Sequence, residues 1–494
     1  MFSRLTYNAL FATIFLLSIF GAYYGVVRFH YPVPPGDDIY VHLSYTLTLL
    51  RHGLSAPVGY PPGLYFLVIG LAKFFHTNIL STFVWLAPAL LPLSALAIWY
   101  LARVLFTAWQ ALLAYALYAL ISLQPLQTYF DGSLPNLLAA GILLPLLFAT
   151  IIRAVNKKQI TAWICPSLLL GLIVICHHLT VLVMLGTLLI WSFIAIAVTS
   201  WIRWRWKGLG FGAVMGIAMV TVCIGIFWFL PAFSAARGII HVYVQFDPQF
   251  PFFHPQTAAD TPAWNANDFG LNVGGIIFQA ALVGAVAVFI HAWKISEGRL
   301  GRLLLLIWFA LYLFGSFTSL SGEPSRLARD FSMPASILAA VGLIWLADLL
   351  ASRSSTLRII YWIFIGIVAL PLASIRMNEL TTYSSMVRFS SADQQAYAYL
   401  LISGFSNQTA VLTHQPDWQT VSAIRNTAGQ FVFVPYDSLS TAKIYPCYLD
   451  TNYKILVTPP SRGDSTSLDP LRPALHLVET FVDPSRTVRL LCRS

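Results

Sequence analysis

The sequence predicts an all-α polytopic membrane protein followed by a small C-terminal α/β domain. Three observations carry that expectation. Hydrophobic residues make up 58% of the 494-residue chain and charged residues only 10%, with a mean hydropathy of +0.73, whereas soluble domains carry roughly 25% charged residues. Apolar runs of about 20 residues recur along the first 375 residues, and lipid-exposed backbone must satisfy its own hydrogen bonds, which makes those runs helices. Beyond about Arg376, polar residues rise and short alternating runs appear.

The first run, 7–27, is read as a retained helix rather than a cleaved leader. It lacks a small-residue cleavage site and is followed by many more apolar segments. Further spans are expected at 82–102, 106–123, 135–153, 161–177, 179–199, 209–230, 273–293, 303–320, 332–350 and 358–375, about eleven in all. The run 63–75 is left out because about 13 apolar residues fall short of the roughly 20 that a crossing needs.

Positive charge supports that exclusion. With a cytoplasmic amino terminus, Arg4, Arg103, Arg153, Lys157, Lys158, Arg203, Arg205, Lys207, Lys294, Arg299, Arg302, Arg353 and Arg358 fall on inner loops, and only Arg28, Arg51, Lys73, Arg237, Arg326 and Arg329 on outer ones. This thirteen-to-six bias obeys the positive-inside rule, and letting 63–75 cross would invert it. Residues 28–81 then form a first outer loop with two surface helices, 38–52 and 63–75. Eight of the ten carboxylates in residues 1–375 fall on the outer side, and none lies in the middle of a span. The net charge of +10 reads as inner-loop charge and attraction to anionic membrane lipids, not as a nucleic-acid footprint. The aromatic-basic run TSWIRWRWKG at 199–208 is read likewise, as an interface anchor.

Residues 376–494 are expected to form an extracytosolic α/β domain, with a helix over 391–402 and strands at 410–414, 431–436, 453–460, 475–482 and 487–492. Cys165, Cys176 and Cys223 lie in apolar runs as small hydrophobes, whereas Cys447 and Cys492 fall in this domain, where an oxidising side would permit a disulfide. The chain as a whole is placed in the plasma membrane.

The candidate chemistry lies on the outer side. Asp37 and Asp38 follow a Pro-Pro-Gly turn and open the helical pattern IYVHLSYTLTLLRH, with His42 four residues after Asp38 on the same face. A helix cap explains one of the two carboxylates, not both. The pair suits either a general base beside lipid or a divalent-cation site facing a phosphate leaving group. Asp131 is the sole charge of the second outer loop, in an Asp-Gly turn. Glu323, Arg326, Arg329 and Asp330 fall within eight residues before the tenth span; they suit phosphate recognition, or mutual ion pairing in a solvated loop. His177 and His178 read as a structural pair, and the long loop 231–272 has the length of a lid.

The acidic pair followed by YPPGLYFLVIGLAKFF resembles the first outer loop of GT-C glycosyltransferases, closest to the protein O-mannosyltransferase and aminoarabinose transferase branch. LARVLF at 101–106, YFDGSLPNLLA at 129–139 and SRLARDFSMPASILA at 325–339 look like that family's inner turn, acidic second loop and Arg-bearing segment. Pro62-Gly63-Leu64 departs from the usual Pro-Pro-Leu, the pair is Asp-Asp rather than Asp-Glu, and the basic residues at 325–330 align only loosely. The resemblance implies a GT-C-like domain over 1–375 and transfer of a sugar from a polyprenyl-phosphate donor to a protein, lipid or glycan acceptor. Asp37 or Asp38 would then be catalytic. His42, Asp131, Glu323, Arg326 and Arg329 would bind substrate, and Asp37, Asp38 and Asp131 would hold Mg or Mn if the reaction depends on a metal. Two other readings stand beside it: a non-catalytic subunit of a membrane complex with the same fold, and a lipid-linked sugar transporter, against which the lack of mid-span carboxylates counts.

Overall fold

The computed structural model describes residues 4–30, 32–36, 38–53, 60–157, 160–199, 216, 265–294, 298–318, 324–384 and 391–403, together with strands at 409–413, 432–435, 447–452, 475–482 and 487–493. Among these residues, eight helices are long and apolar enough to cross a membrane, or nine if one pair bent by 45° counts as a single span. The sequence predicts about eleven. The run 209–230 lies outside the described residues, and 161–177 yields an apolar helix too short to qualify.

Helix α1 (Arg4–Phe29) leads through the Pro-rich turn into α2 (Asp38–His52) and α3 (Gly63–Phe74). At 12 residues α3 rises about 18 Å, well short of a hydrocarbon core of about 30 Å. Long α4 (Ile79–Leu105) starts at a side-chain cap, the Ser81 amide donating to Asn78 Oδ1 at 2.7 Å. Helix α5 (Ala108–Ala116) continues through a wider turn to Ile121 and breaks at Ser122, whose backbone is extended, before α6 (Gln124–Phe130), where Pro125 has no N–H to continue the helical bonding across the break. Then come α7 (Leu134–Asn156), α8 (Ile164–Cys176), α9 (His178–Thr199), α10 (Gly275–Lys294), α11 (Arg299–Phe317), α12 (Pro324–Asp330), α13 (Ser332–Ala351), α14 (Ser355–Ser384) and α15 (Ser391–Ser403).

The bundle closes around α13, most of whose residues are buried. It crosses α10 at Gly342 and Gly284, where an added Cβ would overlap the facing backbone of Ala280 or Leu338. Small residues permit that close approach, as membrane helix pairs require. By contrast α14 buries none of its apolar window, as expected of a helix facing lipid.

The two surface helices pack more deeply than the amphipathic pattern implied. On α2, Ile39, Leu43 and Leu49 are buried, but so are His42 and Thr46 on the face expected to point outward. Residues of α3, α4 and α6 cover that polar face in one continuous apolar cluster. Gly63 explains part of the depth. A side chain there would meet Ile175 O at 2.8 Å and the Cys176 sulfur, so the Pro-Pro-Gly sequence lets α3 start directly against the end of α8.

Beyond the bundle, β1 (Thr409–Thr413), β2 (Val432–Pro435), β3 (Cys447–Asn452), β4 (Leu475–Val482) and β5 (Thr487–Arg493) form one mixed sheet of order β2-β1-β3-β5-β4. The strand at 447–452 was not expected from the sequence, and the expected strand at 453–460 lies outside the described residues. Cys447 and Cys492 are direct register partners on antiparallel β3 and β5. Such partners sit about 4.5–5.5 Å apart at Cα, within the span a disulfide bridges. Peptide mapping without reductant should recover Cys447 joined to Cys492. Recovery of both as free, alkylated thiols would rule the bridge out and count against an oxidising location for the sheet.

Candidate functional site

Three segments distant in sequence meet at one end of the bundle: the start of α2, the α6–α7 turn, and α12. The first contact is backbone against backbone. Gly36 (φ +110°) and Gly132 (φ +80°) lie face to face; a Cβ on Gly36 would overlap the Gly132 amide, and one on Gly132 would come within 2.7 Å of the Ile39 amide. Both positions have the left-handed backbone that glycine tolerates. The contact lets the Asp38 amide donate to the Asp131 carbonyl at 3.2 Å, so an orphan donor of the first turn of α2 is satisfied from the other loop. Ser133 Oγ then donates to Asp38 Oδ2 at 3.2 Å.

The Asp131 carboxylate faces α12. Arg329 Nη1 lies 3.1 Å from Asp131 Oδ2, with the two side chains 40% and 46% exposed. An ion pair this open contributes at most about 1 kcal/mol, so another anion can exchange with Asp131 at little cost.

The next residue, Asp330, is buried. Its Oδ1 accepts from Asn136 Nδ2 at 2.9 Å and its Oδ2 from Tyr312 Oη at 3.4 Å. Burial pushes its carboxyl up to about 7, while the Asn136 hydrogen bond, the Arg329 charge and the Tyr312 hydrogen bond pull the other way. Gln124 fixes the same segment from α6: its Oε1 accepts from the Ser332 amide at 2.8 Å, and its Nε2 donates to the Ala328 carbonyl. The 323–330 stretch is therefore a clamped helix over its described part, not a solvated loop.

Beneath α2 lies a cluster of aromatic and imidazole rings. His42 Nδ1 and Tyr65 Oη are 3.0 Å apart, and Tyr60 packs against His42, His177 and His178 with ring centroids 5.3–6.0 Å apart. Burial lowers the His42 imidazole to about 3, so it is neutral. Burial, reinforced by Tyr60, Tyr45 and the Asp38 charge, raises the Tyr65 phenol well above its ordinary value. His177 Nδ1 accepts from the Thr180 amide at 3.3 Å and caps α9, the structural role expected of it.

Of the residues singled out in sequence, Asp38, Asp131 and Arg329 come together, and His42 lies enclosed below them. Asp37, Glu323 and the Arg326 side chain lie outside the described residues, as does the 231–264 part of the long loop. The end of that loop is tied to α6, where Gln127 Nε2 donates to Asn272 Oδ1 at 3.0 Å. Sequence reasoning passed over Ser133, Gln124, Asn136 and Tyr312; the available signal was an amide side chain standing in an otherwise apolar stretch. Among the described residues no three His, Cys, Asp or Glu side chains cluster as metal ligands. Asp38 and Asp131 offer two hard oxygen donors, which suits Mg or Mn given a third.

No family model and no curated protein matches the chain. Solved structures do. The apo oligosaccharyltransferase of Archaeoglobus fulgidus aligns with 87% of this chain at TM-score 0.58 and 12% identity. The chain spans 64% of that protein, so less than two thirds of it is represented here. A mycobacterial arabinofuranosyltransferase, AftD, aligns with all of this chain and 40% of its own length, at TM-score 0.53 and 13% identity. ArnT from Cupriavidus metallidurans aligns over 99% and 98% of the two chains, at TM-score 0.49 and 14% identity. The chain thus shares its fold with the archaeal oligosaccharyltransferase and with AftD.

A buried acid with a raised pKa makes stability depend on pH. The folded state holds the Asp330 proton more tightly than the unfolded state does, so this contribution is intact below about pH 4 and is lost as pH rises towards about 7. A tenfold difference in proton affinity between the two states corresponds to about 1.4 kcal/mol. In detergent, the thermal midpoint should fall between pH 5 and pH 8, and Asp330→Asn should flatten that fall. An unchanged slope in the variant would show that Asp330 is not the group responsible.

Proposed function

We propose that this protein is a membrane glycosyltransferase that moves a sugar from a polyprenyl-phosphate donor to an acceptor at the outer face, with chemistry at Asp38, Asp131 and Arg329. The observation that carries the reading is the meeting of these three residues, the Asp38 backbone against that of Asp131 through the Gly36–Gly132 contact and the Arg329 side chain against the Asp131 carboxylate, in a fold shared with enzymes of this class. One of the fold neighbours is described in complex with a dolichol-phosphate and an inhibitory peptide, and another of its structures with an acceptor peptide. The first supports a lipid-linked donor here, and the second a protein acceptor.

In this reading an Asp38 oxygen accepts the acceptor's proton while the acceptor oxygen bonds to the anomeric carbon. The bond from that carbon to the donor phosphate oxygen breaks, and the phosphate leaves with the electron pair. Arg329 meets the growing negative charge by exchanging its open pair with Asp131 for the phosphate. Asp37 stands beside Asp38 as the alternative base, and Arg326 beside Arg329 as the alternative phosphate ligand. A divalent cation held by Asp38, Asp131 and Asp37 would neutralise the leaving phosphate, and the Zn and sulfate in one structure of the archaeal neighbour give that variant some support. On this view residues 1–375 are the catalytic membrane domain, the N-terminus is cytoplasmic, and 376–494 are extracytosolic at the plasma membrane.

A second reading, a non-catalytic subunit with the same fold, draws on the same ion pair, since Asp131 and Arg329 already satisfy each other. Activity separates the two. Purified protein would be given radiolabelled polyprenyl-phosphate sugars with membrane proteins, lipids and glycans as acceptors, with and without EDTA. Transfer should fall at least about 100-fold in Asp38→Asn or Asp37→Asn, with an unchanged thermal midpoint. Arg329→Gln should reduce donor turnover by about tenfold or more. Full transfer by both Asp variants would overturn the base assignment, and no transfer by the wild type on any donor would favour the subunit reading.

A further inference from the structure

A second polar feature lies apart from Asp38, Asp131 and Arg329 and has no part in the chemistry above. Arg376, near the end of α14, has its Nη1 fully enclosed and without a hydrogen-bond partner. It lines a cavity of about 60 Å³ whose walls come from α1, α4, the end of α5, α6 and α14. No carboxylate among the described residues pairs with it. The other charged end of α14 behaves differently, since Arg358 there is half-exposed and paired with Asp348 at 3.3 Å. Isolated, desolvated cations are costly in a protein interior, so an unpaired guanidinium at such a place calls for an anion that the described residues do not supply.

Position, size and access narrow the choice of anion. Arg376 lies 18 residues beyond Arg358 in one helix, a rise of about 27 Å, close to the thickness of the hydrocarbon core. Arg376 therefore lies in the half of α14 farther from Arg358, beside Ser18 of α1 and Leu91 of α4. Pro125 and Leu126 of α6, which leads up to Asp131, line the same cavity. A volume of about 60 Å³ suits a few waters or one phosphate group and excludes a sugar ring. Tyr118 lines it as well, its phenol hydrogen-bonded to Ser94. Its rim carries Leu17 and Met377, 49% and 46% exposed. At Gly21 an added Cβ would meet nothing within 4 Å, so that wall is open. The mouth lies between α1 and α14, the two spans whose apolar windows are least buried, and so opens sideways onto the lipid-facing surface.

We propose that Arg376 forms, in this cavity, a lateral binding site for the phosphate group of an anionic lipid, whose chains lie along the outward faces of α1 and α14. The site is separate from the transfer chemistry and does not depend on the glycosyltransferase reading. The guanidinium supplies charge-assisted hydrogen bonds to the phosphate oxygens, and the lateral mouth selects an anion that arrives on a hydrocarbon tail.

Full-length protein in detergent would be titrated with polyprenyl phosphate, phosphatidic acid, their dephosphorylated counterparts polyprenol and diacylglycerol, and inorganic phosphate. Bound lipid would be read by native mass spectrometry and by thermal shift. At least one of the two phosphate lipids should bind at least tenfold more tightly than its phosphate-free counterpart and than inorganic phosphate, and the stronger of the two identifies the natural class. Arg376→Gln should weaken that binding about tenfold, and Gly21→Leu should do the same by filling the mouth without removing charge. Asp38→Asn should bind like the wild type, so loss of transfer and loss of this site are distinguishable. Equal binding with and without phosphate, equal binding by inorganic phosphate, or undiminished binding in Gly21→Leu would overturn the proposal; the last test stands even if Arg376→Gln does not fold.

Discussion

The candidate site depends first on a contact in which no side chain takes part. Gly36 and Gly132 bring the backbone of the α1–α2 turn against the backbone of the α6–α7 turn, closer than any residue with a Cβ would allow. At that spacing the Asp38 amide reaches the Asp131 carbonyl, and the backbone position of one aspartate fixes that of the other. Side chains meeting across two loops would be held only by rotamers and weak ion pairs. Two backbones in contact leave far less freedom, which is what a pair of carboxylates needs if they are to act on one small group.

The third member is placed by a different device. Arg329 and Asp330 are consecutive on α12 and so point about 100° apart. One faces outward to Asp131; the other faces inward to Asn136 and Tyr312. The inward residue sets the direction of the outward one, because a buried carboxyl with two hydrogen-bond donors can occupy its pocket in only one rotation of the helix. Gln124 adds a clamp at the next turn, bonding the backbone on both sides of the α12–α13 junction. The weak exposed pair is therefore oriented by strong buried contacts, and Arg329 stays free to exchange partners without α12 moving.

The coarse architecture was legible in the sequence because membrane insertion is written in composition and charge. Run length separated 63–75 from the spans, and the helix that forms there is indeed too short to cross. The acidic pair, Asp131 and the Arg segment stood out as rare charges in apolar surroundings, and of these Asp38, Asp131 and Arg329 meet. What was not legible depended on distant neighbours. Nothing within 38–52 shows that His42 lies beneath Tyr60 and Tyr65, since that burial comes from segments after residue 59. Gly63 departed from the family pattern, and its reason lies at Ile175, more than a hundred positions on. Asp330 looked like one more loop charge, because its burial depends on Asn136 and Tyr312. The strand Cys447–Asn452 was passed over because it has little apolar pattern of its own and pairs through its place between β1 and β5.

The fold sets where chemistry could occur, but three short segments, the start of α2, the α6–α7 turn and α12, supply the candidate side chains, and α6 links the last two. This helix has only seven residues. Gln124 clamps the Arg329 segment, Pro125 and Leu126 line the Arg376 cavity, Gln127 reaches Asn272, and the helix ends at Asp131. The break before Pro125 accounts for this concentration. A continuous span would carry these residues round the helix onto different faces, whereas a 45° bend lays the second segment across the end of the bundle. There its polar side chains meet α12 and its apolar ones meet α1 and α4. A single proline-directed bend thus brings the candidate transfer site and the anion cavity onto one short element, so a shift of α6 would move both together.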